Sequence, residues 1–321
     1  MKARYLAAIS AFAVAAAVSA CGSKAGPTAS KDIRLDYAYY NPLSLVVRDQ
    51  HLLEGRGYNV TWVLSAGSNK ANEGLRSQAL DFGSTAGSAA LVARANGTPI
   101  KIIDVYSKPE WTALVVPKNS PINSVADLKG KKIAVTKGTD PYFFLLQSLA
   151  TAGLSPSDVE IINLQHADGK TALERGDVDA WSGLDPFMAQ TVQQQGSRLL
   201  YRNPDFNSYG VLNAREDFIT AHPDLVQSVV SSYEEARKWA KAHPDELAAL
   251  LASQAKVTQS VAQEELQRTA LDIQPAPGDP QRAVLTNILP IAVADSDIKS
   301  DEAGRGALNT IIDPKYAQHA S

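Results

Sequence analysis

The chain has one cysteine, Cys21, among its 321 residues, so no disulfide can form within it. Its five histidines never stand at the spacings that zinc sites use. It contains no complete phosphate-binding loop and no Gly-x-Ser-x-Gly nucleophile turn. Basic residues form no tail or stripe, and the formal net charge is −3. These absences argue against a metalloenzyme, a nucleotide hydrolase, a serine hydrolase and a nucleic-acid-binding protein. We expect no cofactor, no metal and no catalytic residue.

Long apolar runs are confined to the N-terminus. A basic start, an apolar stretch over 6–18 and a set of small residues precede Cys21. This order predicts a bacterial lipoprotein signal over 1–20, lipidation of Cys21 and a flexible tether over 21–31. An ordinary secretory signal with a chance cysteine is the alternative. No later run approaches the roughly 18 apolar residues that a membrane-spanning helix needs. We expect an exported protein, anchored by lipid to the outer face of the cell membrane or held in the periplasm.

The most informative segment is 121–154, which reads as a short helix, a buried strand, a glycine turn and a second helix. Residues 133–135 are apolar and partly β-branched, as in a strand that is covered on both faces. Asp140 and Pro141 then predict an N-cap followed by Pro at the first helical position. A strand that leads through a tight turn into a helix directs free N–H groups at whatever lies above the sheet. Such places commonly bind small anions.

Strands and helices alternate along most of the chain, which predicts an α/β fold with helices on both faces of a parallel or mixed sheet. The chain is expected to cross into a second domain near 113–117 and to return near 209–213. The expected domains are 32–113 with 213–321 for lobe I, and 114–212 for lobe II. Two crossings between two α/β lobes are typical of a hinged binding protein.

Four sequence blocks together resemble the solute-binding proteins of ABC importers for aliphatic sulfonates, taurine and nitrate. Besides 121–154, they are LDFGSTAG at 80–87, ALERGDVDAW at 172–181, and the Asp-Pro pair at 185–186. Their order and spacing match that family over about 33–230. The resemblance implies a type II periplasmic binding fold, in which two α/β lobes joined by two crossover segments surround a ligand cleft.

The resemblance also implies a function. The protein would capture a small organic anion, an aliphatic sulfonate or a taurine-like zwitterion, and deliver it to a membrane permease that a separate ATPase drives. It would act as a monomer and catalyse no reaction. One alternative is a receptor for nitrate, a thiamine pyrimidine or a flavin precursor. The other is an enzyme of the pyrimidine-synthase kind on the same fold, for which His166 is the one histidine that could lie in a cleft loop.

Loops that follow the carboxyl ends of strands supply the candidate ligand contacts. By resemblance, Gly87 and Ser88 donate backbone and hydroxyl hydrogen bonds to the anionic head of the ligand, and Thr139 adds a hydroxyl from the other lobe. Neutral donors at two helix N-termini can hold an anion without an arginine. The alternative is that these residues only shape turns and cap helices. Three further candidates come from the same loops: Asn41, Ser68 and Thr85.

Two acidic residues could bind ligand or cap helices. Asp140 departs from the family it resembles, which has a small hydroxyl residue there. We expect Asp140 to cap its helix from outside the cleft; otherwise the ligand carries an amine or no charge at that end. Asp185 matches an aspartate that pairs with the ligand's ammonium in the taurine relatives, and it also reads as an N-cap. Trp181 matches an aromatic lining position, with core packing as its alternative. Three other aromatic residues could line the cleft: Tyr39, Tyr40 and Trp111.

Overall fold

The computed structural model describes residues 31–319; the expected signal segment and the lipidation site at Cys21 lie outside them. Two β-sheets organise the described chain. The first sheet has the spatial order β11 (Thr269–Ala270), β4 (Ile100–Pro109), β10 (Gly210–Arg215), β3 (Phe82–Ala86), β1 (Asp32–Tyr37) and β2 (Asn59–Leu64). The second sheet has the order β7 (Glu160–Asn163), β6 (Lys132–Val135), β8 (Ala180–Ser182), β5 (Leu114–Val116) and β9 (Arg198–Tyr201).

Twelve α-helices accompany these strands within residues 31–319. In chain order they are α1 (Pro42–Asp49), α2 (Ser68–Arg76), α3 (Gly87–Ala95), α4 (Asp140–Thr151), α5 (His166–Arg175), α6 (Phe187–Gln195), α7 (Glu216–Ala221), α8 (Pro223–Ala242), α9 (Pro244–Ala255), α10 (Gln259–Gln267), α11 (Asp279–Ala294) and α12 (Asp301–Thr310). No helix of the described part of the chain combines the length and apolarity needed to span a membrane.

Both sheets are mixed. In the first, β1 pairs in parallel with β2 and β3, whereas β10 runs antiparallel to β3 and β4. In the second, β6 pairs in parallel with β7 and β8, and β5 runs antiparallel to β8 and β9. Parallel neighbours place the carboxyl ends of their strands, and the helices that follow, at one edge of the sheet. The predicted α/β fold class is confirmed.

The chain passes between the two sheets twice. The first passage joins β4 to β5, and the second joins β9 to β10. These are the two crossings that the strand order predicted. Strand β10 belongs to the first sheet from Gly210 onward.

Segment 121–154 folds as a 3-10 turn at Val125–Leu128, then β6, a turn and α4. Gly138 adopts a φ of 75°, in the left-handed region that glycine tolerates best. One detail of the prediction is wrong. Thr139 is the N-cap residue of α4, and Asp140 is the first helical residue. Asp140 makes no capping hydrogen bond, because its carboxylate points to partners in other elements.

Buried apolar side chains join the two lobes as well as filling each of them. One cluster fills lobe I between its sheet and α8 and includes Phe82 and Val229. A second cluster contains Phe143 of α4 together with Leu285 of α11 and Leu91 of α3. Burial of such side chains contributes on the order of 2 kcal/mol each. The start of α4 is therefore held against elements of lobe I, and this contact positions the site.

Candidate functional site

The starts of α3 and α4 meet at one buried carboxylate, that of Asp140. The hydroxyl of Ser88 donates a hydrogen bond to Oδ1 at 2.5 Å. Ser208 donates twice, from its hydroxyl to Oδ1 and from its backbone N–H to Oδ2, each at 2.7 Å. The indole Nε1 of Trp111 donates to Oδ2 at 2.9 Å. A carboxylate has about four lone-pair positions, so these four bonds fill its acceptor capacity.

The groups at this site come from four separate parts of the chain. Ser88 is the second residue of α3 in lobe I, and Asp140 opens α4 in lobe II. Trp111 belongs to the first crossing and Ser208 to the second. A hydrogen bond connects the two crossings: the backbone N–H of Thr112 donates to Asn207 Oδ1 at 3.0 Å. The site therefore lies at the hinge.

Burial sets the electrostatics of the site. The side chain of Asp140 is 1% exposed, and this burial raises the pKa of its carboxyl above the ordinary value. The hydrogen bonds from Ser88, Ser208 and Trp111 act in the opposite direction, since they favour the charged form. None of the three donor side chains carries a formal charge. The arrangement therefore holds a buried anion with neutral donors alone.

A small cavity of about 80 Å³ lies between the lobes. Lobe I contributes Tyr39, Tyr40, Leu64, Ser65 and Ala66, and lobe II contributes Gln165, His166, Ala167, Leu184, Asp185, Pro186 and Phe187. The ring of Tyr40 meets that of Trp111 edge to face, with centroids 5.9 Å apart, so this pair connects the cavity with the carboxylate site. Tyr39 and Tyr40 line a cavity between the lobes, as the sequence allowed.

His166 is a buried histidine in the wall of this cavity. Its Nδ1 lies 3.1 Å from the hydroxyl of Thr136, whereas its Nε2 has no hydrogen-bond partner. Burial lowers the pKa of His166 to about 3, so the ring is neutral at pH 7. The carbonyl oxygen of the Gln165 side chain, in the same wall, is also buried without a partner. Buried polar atoms normally have hydrogen-bond partners, so these two atoms are exceptions in the cavity wall.

Asp185 joins the lobes at the other side of the cavity. Its Oδ1 accepts a hydrogen bond from the N–H of Ala189 in α6, at 2.9 Å. Arg268 of lobe I forms an ion pair with it: Nε lies 3.1 Å from Oδ2, although poorly aligned, and Nη2 donates to Oδ1 at 3.4 Å. Burial raises the pKa of Asp185 to about 7, and the charge of Arg268 opposes that rise. Asp185 thus accepts a hydrogen bond from α6, lines the cavity and is paired with Arg268.

The residues expected to bind the anionic head are only partly brought together. Ser88 contacts the central carboxylate, and Gly87 stands next to it with its N–H bonded to the carbonyl of Tyr209 at 2.9 Å. Thr139 is buried, but its hydroxyl donates to the carbonyl of Thr136 at 2.6 Å. The structure therefore uses the Thr139 hydroxyl within its own turn.

The three further loop candidates are buried in lobe I. Asn41 caps α1 and donates to the hydroxyl of Ser84 at 2.8 Å. Ser68 accepts from the N–H of Ala86 at 2.9 Å, and Thr85 accepts from an asparagine side chain of β10 at 2.8 Å. These contacts fix the strand ends and helix starts that carry the site.

Trp181 lies in the core of lobe II. It is fully buried among apolar residues such as Val115 and Met188. A Cβ atom on Gly169 would stand 2.6 Å from its indole nitrogen, so that glycine is required for the packing. The structure favours core packing for this residue.

Two contributors escaped prediction from sequence. Ser208 supplies two of the four donors to Asp140, and Arg268 neutralises Asp185 from lobe I. Ser208 lies in the second crossing, and a crossing passes close to the hinge, so that location was a usable signal. Arg268 follows the end of α10 with no local pattern that marks it.

Two α/β lobes, two crossings and a buried anion-holding site at the hinge define a bilobal solute-binding protein. Residues 49–247 match the sequence family described as NMT1/THI5 like. The chain therefore belongs to the NMT1/THI5-like family, as the resemblance predicted.

Individual relatives agree with this placement. The chain is 31% identical over 248 residues to an Escherichia coli K12 protein named as an aliphatic sulfonates-binding protein, covering 76% of this chain and 75% of that one. It is 29% identical over 210 residues to the taurine-binding periplasmic protein of the same organism, covering 64% of each. The alkanesulfonate-binding protein SsuA from Xanthomonas axonopodis pv. citri, solved bound to MOPS, shares its fold with a TM-score of 0.77 at 24% identity, over 86% of this chain and 97% of that one.

Proposed function

We propose that this protein is the solute-binding component of an ABC importer. It captures a small organic anion, an aliphatic sulfonate or a taurine-like compound, and delivers it to a membrane permease served by a separate ATPase. Family membership and the names of the relatives support the class of ligand. The single observation that carries the proposal is the set of neutral donors around Asp140.

A sulfonate suits such donors. It remains anionic across the physiological pH range and presents three acceptor oxygens. The hydroxyls of Ser88 and Ser208, the N–H of Ser208 and the indole N–H of Trp111 can donate to the oxygens of such a head group. In a buried site each hydrogen bond to a charged group is worth more than in water. A permanent positive charge is not needed to hold the anion.

The cavity between the lobes would take the body of the ligand. At about 80 Å³ it is small, and the rings of Tyr39 and Phe187 lie in its wall. A short alkyl chain matches this size better than a large ring. A bulkier ligand would bind only with the lobes further apart, by the hinge motion that two crossings allow.

Ligand recognition is tested by thermal unfolding with a panel of candidate ligands. Ethanesulfonate, taurine, nitrate and a thiamine pyrimidine are added separately to the purified protein. A ligand present at 100 times its Kd adds about 2.7 kcal/mol to the free energy of unfolding. Stabilisation by ethanesulfonate, without stabilisation by nitrate or the pyrimidine, supports the proposal. Stabilisation by the pyrimidine alone overturns the sulfonate assignment.

We further propose that the protein is exported and anchored through a lipid on Cys21, and that it acts as a monomer. The order of residues before Cys21 supports the anchor. Partition into a detergent phase distinguishes the cases: the wild-type protein should enter that phase, and a Cys21→Ser variant should stay in the aqueous phase. Equal partition of both would contradict the anchor.

A further inference from the structure

The four donors at the hinge are already engaged by a group of this chain. Each donor has one hydrogen to give: one from the hydroxyl of Ser88, two from separate groups of Ser208 and one from Trp111. All four go to the carboxylate of Asp140. None of these groups can donate to a second anion while it is hydrogen-bonded to Asp140.

We infer that Asp140 is an internal occupant of the anion site, and that an anionic ligand binds by displacing its carboxylate from Ser88, Trp111 and Ser208. This inference rests on the proposed function, and it adds a residue that sets affinity and selects among ligands.

The position of Asp140 makes the displacement feasible. It is the first residue of α4, preceded by the turn at Gly138 and followed by Pro141. Among residues 31–319, the hydrogen bonds that its carboxylate accepts are those from the four donors. Rotation of one side chain, or withdrawal of the start of α4, therefore frees the donors together. The N-terminus of α4 remains a favourable place for the displaced carboxylate, because unpaired N–H groups and the helix dipole attract negative charge there.

The sign of the effect on affinity follows from this competition. The contacts of Asp140 with the donors exist in the unliganded protein and are absent once a ligand anion has taken the donors. They lower the free energy of the unliganded state alone, so the apparent affinity is reduced by the fraction of molecules in which the site is free. Removing the carboxylate should therefore tighten the binding of an anion. If the ligand instead used Asp140 as the partner of an ammonium group, removal would weaken binding.

The test compares ethanesulfonate binding to the wild-type protein, Asp140→Ser and a matched control by titration calorimetry. The control is Asp279→Ser, because Asp279 also precedes a proline at the start of a helix, α11, but is exposed. We expect Asp140→Ser to bind about tenfold tighter than wild type, and Asp279→Ser to stay within about twofold. If Asp140→Ser does not fold, Asp140→Asn is titrated in its place, since it keeps the shape and loses the charge.

A second readout reports on the site directly. The indole N–H resonance of Trp111, assigned with a Trp111→Phe variant, should shift when ethanesulfonate displaces Asp140, and should already be shifted in unliganded Asp140→Ser. The internal-occupant proposal is wrong if the wild-type protein binds ethanesulfonate but the Asp140 variants bind it no more tightly. It is also wrong if the Trp111 resonance does not move on binding. Either result leaves the proposed function standing. Absence of sulfonate binding by every variant overturns both.

Discussion

Asp140 and Asp185 show two ways to bury an acid between the same two lobes. Both belong to lobe II, both precede a proline near the start of a helix, and each is 1% exposed. Asp140 is held by four hydrogen bonds from uncharged groups. Asp185 is held by one helix N–H and by the guanidinium of Arg268.

This difference in partners determines which protein group a ligand can displace at each acid. An anion can take over the neutral donors around Asp140 without leaving any charge unbalanced, provided that the carboxylate finds another place. An ammonium group can reach Asp185 only by competing with Arg268, which also pairs with Glu264 but would lose its buried carboxylate partner. The two sites therefore point to an anionic ligand head at the hinge and argue against a strong ammonium site.

The largest effect should come from breaking the ion pair. Arg268→Met leaves Asp185 buried without its cation, which typically costs about 3 kcal/mol. We expect the free energy of unfolding, measured with urea at pH 8, to fall by that amount. The double variant Asp185→Asn with Arg268→Met should recover most of the loss, because neither charge of this buried pair is left without the other. A loss as large in the double variant would show that Arg268 acts through packing.

His166 is a third buried titratable group near the cavity, and it has no ionic partner within residues 31–319, so it can be compared with Asp140 and Asp185. Burial lowers the pKa of His166 to about 3, whereas an unfolded histidine titrates near 6.5. Between these values the unfolded chain binds more protons, so stability is lost as the pH falls below about 6.5. We expect His166 to cost about 2 kcal/mol at pH 5 relative to pH 7.

His166→Asn isolates this contribution. Urea unfolding of both proteins at pH 5 and pH 7 should give a smaller loss in the variant, by about 2 kcal/mol. The raised pKa values of Asp140 and Asp185 affect both proteins alike, so they cancel in the difference. Parallel losses in the two proteins would contradict a neutral, desolvated His166.

The donors to Asp140 should matter less individually, because each is one of four. Ser88→Ala removes one hydrogen bond to a buried carboxylate, which is worth about 1.5 kcal/mol. Ser148→Ala is the control: Ser148 is also buried, but it donates to the carbonyl of Phe144 in its own helix. We expect Ser148→Ala to lower the free energy of unfolding, measured with urea, clearly less than Ser88→Ala does. Equal losses would show that the acceptor's charge has no influence.

Much of the fold could be predicted because its signals are local. The alternation of apolar and polar residues, the glycine turns and the helix starts predicted the order of elements in 121–154 and the two crossings. The site was harder to predict, since three of the four Asp-Pro dipeptides stand at helix starts and yet differ in their surroundings. Asp-Pro places Asp140 at the hinge, Asp185 against Arg268 and Asp279 in solvent. Only the tertiary neighbours distinguish them.

Loop position was likewise insufficient to assign contacts. Asn41 and Thr85 were expected in cleft loops, whereas Asn41 caps α1 and Thr85 lies within β3, and both side chains turn toward partners in lobe I. Ser88 was proposed through resemblance, whereas Ser208 had no motif of its own. A loop of few residues has side chains on both the cleft side and the core side. Sequence spacing does not say which is which.

The smallest expected effect is a difference between two ligands of similar size. Taurine carries an ammonium that ethanesulfonate lacks, and the acid nearest the cavity, Asp185, is paired with Arg268. Burying the ammonium without a free partner should make taurine bind about tenfold more weakly in titration calorimetry. Arg268→Met should narrow that gap by freeing Asp185, whereas Arg305→Met, which removes an exposed ion pair with Asp301 instead, should leave it unchanged. Taurine binding as tightly as ethanesulfonate in the wild-type protein would mean that the Asp185–Arg268 pair opens on binding, and that the two buried acids differ less than their contacts indicate.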